Sequence, residues 1–101
     1  MPFKVKEING ENLHLMPGII DDQVHFHEPA LTHKATIYTD AKAGVAGGVT
    51  SFMEMPNTNP PACTIDFLEN KYDIASQNSL ANYSFYMGTN LTNYKELMKV
   101  D

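Results

Sequence analysis

Three short runs of apolar, β-branched or aromatic residues, Ile19 to Phe26, Val49 to Met55 and Asn82 to Met87, alternate with segments of helical spacing. This alternation constrains the fold most, because strand, helix, strand, helix, strand, helix is the pattern of a parallel sheet with helical crossovers. The fold class expected is therefore α/β. In such sheets the loops between strand ends and the next helix carry the chemistry. A closed barrel of eight βα units needs about 250 residues, so the three units in 101 residues would leave strand edges unpaired. The expectation is an incomplete structure that is part of something larger.

The boundaries follow from local signals. Residues 3 to 8 alternate apolar and charged side chains and meet Asn9-Gly10 before Leu13 to Met16, which predicts a small antiparallel hairpin. Pro17-Gly18 punctuates it, and the first strand runs to Glu28-Pro29 and a polar loop. Ala41, Ala43, Val45 and Ala46 suggest a short helix from about Thr39, stopped by Gly47-Gly48. Pro56, Pro60 and Pro61 exclude both helix and central strand after Met55. Thr64 suits a helix cap, with Asp66 in the first turn and Ile65, Leu68, Tyr72 and Ala75 at helical spacing. A third helix is expected from Thr92 to Val100.

Composition excludes several classes. Twelve Asp and Glu against seven Lys, with no arginine, give a net charge of −5, so the basic stripe needed to bind nucleic acid is missing. No apolar run approaches the roughly 20 residues of a membrane span, and the start lacks the apolar stretch of a signal peptide. A cytoplasmic location is the resulting expectation. The single Cys63 allows neither an internal disulfide nor a thiolate metal cage, leaving histidine, carboxylate and amide groups as metal ligands.

Gln23, His25 and His27 lie two residues apart on the first expected strand, so their side chains share a face. A His-x-His pair at this spacing can hold one divalent ion through two imidazoles. The same pattern serves equally for hydrogen-bonded core or loop histidines, and the pair alone leaves both open. His14 and His33 read as surface or loop residues, and Phe52, Met53 and Met55 as packing.

The context is PGIIDDQVHFHEPALTHK followed by AGVAGGVTSFMEMPNTNPP. Both blocks closely resemble the dihydroorotase branch of the amidohydrolase superfamily, whose first strand reads P-G-x-I-D-x-H-x-H-F-R-E-P-G-L-T-H-K and whose second reads A-G-G-V-T-x-x-x-x-M-P-N-T. The likeness runs in register from Pro17 to Pro61 and more loosely to Met87-Gly88. It implies an N-terminal piece of a small β-sandwich (residues 1–16, the hairpin) followed by the first three βα units of an incomplete metal-dependent TIM barrel (residues 17–101). The family's first metal histidine falls at Gln23, its second at His25, and its carboxylate-clamping arginine at His27. Asn57 falls on the asparagine that helps hold the substrate carboxylate, and Asp21 on a supporting acid. The metal positions implied are thus Gln23 and His25, and the substrate positions His27 and Asn57. Sliding the register would make His25 and His27 the metal pair, but Asp21 and Glu28-Pro29 anchor the alignment on both sides.

Two of these positions depart from the family. A glutamine oxygen is a weaker zinc ligand than imidazole, and His27 offers one donor where arginine offers a charged fork. The bridging lysine, two further metal histidines and the general-base aspartate have no counterpart, and Lys99 lies in the expected third helix. The resemblance implies zinc as cofactor and dihydroorotate as small-molecule substrate of the complete enzyme, reversibly hydrolysed to N-carbamoyl-L-aspartate in pyrimidine biosynthesis. Allantoinase and dihydropyrimidinase share the layout, but the Met-Pro-Asn-Thr loop favours dihydroorotase. On this reading the chain is an inactive N-terminal fragment that pairs with the remainder of the barrel or with itself. The alternative is a non-catalytic dihydroorotase-like scaffold beside aspartate carbamoyltransferase, which Gln23 and His27 would favour.

Overall fold

A computed structural model of the chain describes residues 4–100. Three strands, β1 (Ile19–Val24), β2 (Val49–Glu54) and β3 (Asn82–Phe85), alternate with three helices, α1 (Ile37–Ala46), α2 (Ile65–Asn78) and α3 (Tyr94–Leu97). The strands form one parallel sheet in the order β1-β2-β3, so sequence neighbours are also neighbours in space. The α/β class and the small parallel sheet are as expected.

Alternation along β2 sends Phe52 and Glu54 toward the helices, where α1 packs on β2 and α2 on β3. Ile37, Ala41, Phe52, Leu68, Ala75 and Phe85 form the buried core, and Phe26, Tyr83 and Ile74 pack around it. Phe52 is its hub, with ring centroids 4.5 Å from Phe26 and 6.5 Å from Phe85. Alanine at 41 and 75 lets both helices lie close to the sheet.

The caps explain the helix limits. Thr36 starts α1 through a reciprocal cap with Thr39, and Glu28 Oε2 accepts the Ile37 N–H at 2.8 Å, placing a carboxylate at the helix N-terminus. The helix thus begins two residues before the expected Thr39. It ends at Gly47, and Gly48 takes φ +97°, which only glycine adopts without strain. Thr64 caps α2 as expected, its hydroxyl accepting the Phe67 N–H.

Three expectations are corrected. No strand forms among residues 4–18, where the expected hairpin lies. Only a turn closes there, with Leu13 N–H bonded to Gly10 O at 2.9 Å. Val5, Ile8 and Leu13 are exposed, so nothing covers an apolar face, and a two-stranded ladder without such cover is marginal in water. The first strand ends at Val24 rather than Phe26, and its pairing with β2 is irregular on both sides of Ile20-Asp21. The third helix is a single turn, Tyr94–Leu97, and Asn93 just before it does not cap it because its Oδ1 already accepts the Asn90 N–H at 2.8 Å. The Asn93 Nδ2 donates to Cys63 O and Gly88 O at 2.9 and 2.7 Å, and no side-chain cap forms.

Candidate functional site

The carboxyl ends of the three strands open onto a cleft of about 420 Å³ whose walls include Gln23 near the end of β1, Met55-Pro56 after β2 and Tyr86 to Gly88 after β3. Parallel βα sheets place ligand sites at this end. Gly88 makes the third wall possible, since a Cβ there would lie 2.9 Å from Cys63 Sγ and 3.2 Å from Pro56 Cβ.

His25 and Asn57, 32 residues apart in sequence, meet beside this cleft with His25 Nδ1 3.0 Å from Asn57 Oδ1. With the Asn57 amide oxygen as acceptor, His25 Nδ1 is the donor of this bond. The loop that delivers Asn57 is closed by Ala62 N–H to Pro56 O at 2.9 Å and by Thr58 Oγ1 to Pro60 O at 3.0 Å. Asp21 acts locally, its Oδ1 accepting the Gln23 N–H at 3.2 Å. His27 is half-buried with Nδ1 shielded and unpartnered among the described residues, while its carbonyl accepts from Leu31 N–H. The fold therefore unites His25 with Asn57 and puts Gln23 on the cleft wall. Among the described residues, no side-chain hydrogen bond joins Gln23 or His27 to that pair.

A zinc site needs three or four converging donors. Among the described residues no three His, Cys, Asp or Glu side chains come together in this way. Gln23 and His25 offer one amide oxygen and one imidazole nitrogen, which do not make a zinc site by themselves.

Sequence reasoning missed a charged pair beneath the loop. Lys71 Nζ lies 2.9 Å from Glu54 Oε2, with the two side chains 1 % and 0 % exposed. The same ammonium donates to Met55 O at 3.2 Å and sits 5.0 Å from the centre of the Phe85 ring. Burial pushes the Glu54 carboxyl up to about 7, against the pull of the Lys71 hydrogen bond and charge. Burial likewise lowers Lys71, and Glu54 opposes that shift. The available signals were the one charged side chain of β2, at its last position, and a lysine in step with Leu68 and Ala75.

A parallel α/β sheet with polar side chains gathered past its strand ends has the layout of an α/β enzyme site. Comparison with known proteins makes the class specific. Residues 13–96 match the dihydro-orotase-like family. A dihydroorotase of Wolbachia sp. subsp. Brugia malayi (strain TRS) is 44% identical over 87 residues, covering 85% of this chain and 20% of that protein. An allantoinase of Deinococcus radiodurans is 38% identical over 86 residues, covering 84% of this chain and 19% of that protein. The solved L-hydantoinase (dihydropyrimidinase) of Arthrobacter aurescens superposes with a TM-score of 0.80 at 32% identity, over 83% of this chain and 19% of that one. The chain belongs to the dihydroorotase-like family of amidohydrolases. It spans about a fifth of the length of these relatives.

Proposed function

We propose that this chain forms the opening portion of a dihydroorotase-like cyclic amidohydrolase, one that reversibly hydrolyses dihydroorotate to N-carbamoyl-L-aspartate in pyrimidine biosynthesis. Residues 17–101 would supply the first three βα units of a TIM barrel, and residues 1–16 would join a small β-sandwich. The observation that carries this is the His25–Asn57 contact at the strand carboxyl ends, within the two motifs on which the family likeness rests. Asn57 would bind the substrate carboxylate through its amide, with His27 adding one donor. Gln23 and His25 would contribute to a zinc site whose other ligands lie in the rest of the enzyme. The complete protein would act in the cytoplasm. The alternative, a non-catalytic scaffold partner of aspartate carbamoyltransferase, draws its support from Gln23 and His27, which weaken the two positions the chemistry most needs.

On its own the 101-residue chain is expected to leave dihydroorotate at the buffer rate even with added zinc. Turnover that a chelator and His25→Ala both abolish would overturn this. In the complete protein, stoichiometric zinc and measurable hydrolysis favour the enzyme. A metal-free protein that stays inactive until Gln23→His and His27→Arg are introduced together favours the scaffold. Two weakened groups of this kind are worth on the order of 10^4-fold in rate, so the outcomes separate clearly.

A further inference from the structure

Burying a lysine and a glutamate together rarely adds stability, because desolvation offsets their attraction. What this pair touches suggests another use. Glu54 is the last residue of β2 and its backbone carbonyl accepts the Tyr86 N–H at 3.0 Å, so the strand is still in the ladder there. One residue later the chain leaves the sheet. The Met55 N–H is held by Val24 O of β1 at 3.0 Å, and the Met55 carbonyl, no longer in the ladder, is taken up by Lys71 of α2 at 3.2 Å. Two residues beyond that carbonyl, Asn57 meets His25. The departure point of the loop is thereby clamped between β1 and α2, and the clamp on the α2 side is an ammonium that Glu54 keeps in place.

We propose that Lys71, held by Glu54, is a positioning residue that sets where Asn57 stands relative to His25. Its importance for substrate rests on the role given to Asn57 above, but the placement itself is measured without substrate. An ammonium suits the task because a part-buried carbonyl left without a donor would have to move or hydrate, and the long lysine stem reaches from the middle of α2 while filling apolar space.

The test uses the full chain and compares wild type with the double variant Glu54→Leu/Lys71→Met, which removes both charges and keeps apolar volume. Amide exchange at Ala62 reports the loop, amide exchange at Tyr86 reports the ladder, and a through-space NMR contact between the His25 ring and the Asn57 carboxamide reports placement. The double variant is expected to lose that contact and to exchange about tenfold faster at Ala62, with Tyr86 protection unchanged. Lys71→Arg, which keeps a cationic donor, is expected to retain the contact. Persistence of the contact in the double variant overturns the proposal, as does its absence from the wild-type chain. Loss of Tyr86 protection in the double variant also overturns it, because the pair would then be serving the fold as a whole. Failure of dihydroorotate hydrolysis in the complete protein would leave all three readouts standing.

Discussion

Glu54 carries a pH dependence that can be read by unfolding. Its carboxyl rises from 4.5 in the unfolded chain to about 7 when buried, so between these values the folded chain holds a proton the unfolded chain has released. Stability therefore falls as pH rises through that window. Lys71, lowered from 10.5 by burial, gives the opposite slope at alkaline pH. Glu54→Gln is expected to flatten the acid-side slope, checked by urea midpoints at about pH 5 and pH 7.5; an unchanged slope would show that other groups set it. Breaking the pair should matter more than deleting it. Lys71→Met alone is expected to cost about 3–5 kcal/mol near neutral pH, and the double replacement less than half of that. A different local limit acts at Gly88, where Gly88→Ala would push a methyl group against Cys63 and Pro56 and cost about 1–3 kcal/mol by the same assay.

Elements are joined by side chains that reach across loops. Asn93 bonds the loops before α2 and after β3, and Glu96 Oε2 accepts the Ile65 N–H at 3.1 Å, lending α2 a carboxylate from the next helix. The hydrogen bond from the Lys99 ammonium at 2.7 Å, and after it the one from Ile65, hold the Glu96 carboxyl below its usual range. Asn93→Ala would strand two carbonyls, an expected loss of about 1–3 kcal/mol, and calorimetry with an unchanged Tm would show that water replaces the amide. Signals confined to one element were legible in the sequence. Thr64 with Asp66 named the start of α2, Gly47-Gly48 named the end of α1, and the apolar runs named three strands. The motifs also marked His25 and Asn57. Signals that depend on two elements were not legible. Helical spacing admits Lys71 and Tyr72 about equally to the buried stripe of α2, and only the position of Glu54 across the interface selects the lysine. The start of α1 was hidden for the same reason, since it draws on Glu28, nine residues before the Ile37 N–H it accepts. The hairpin failed because its pattern presumes a surface to cover it.

At the scale of the molecule, shape departs from that of a self-sufficient domain. The radius of gyration is 17.0 Å, against roughly 13 Å for a compact domain of this length, and the long axis is 56 Å. Val5, Ile8, Leu13, Leu15 and Met16 are all exposed on the segment before β1, and Ile20 on β1 itself is 68% exposed. Open strands with bare apolar side chains pair with whatever is available. The purified chain is expected to associate with rising concentration in sedimentation and to bind a hydrophobic dye. A monodisperse monomer with one sharp melting transition would contradict this. Among the described residues no helix is long and apolar enough to cross a membrane, so the exposed surface is not that of a spanning helix.

The spatial order β1-β2-β3 also bears on how such a sheet is made. Because every strand docks beside the one synthesised just before it, each βα unit emerging from a ribosome finds its neighbour already waiting and needs nothing further downstream. Growth proceeds at one margin only. The outer margin of β1 gains nothing from this accretion, so of these three strands β1 would stay the most exposed during synthesis, a window in which chaperones have most to protect.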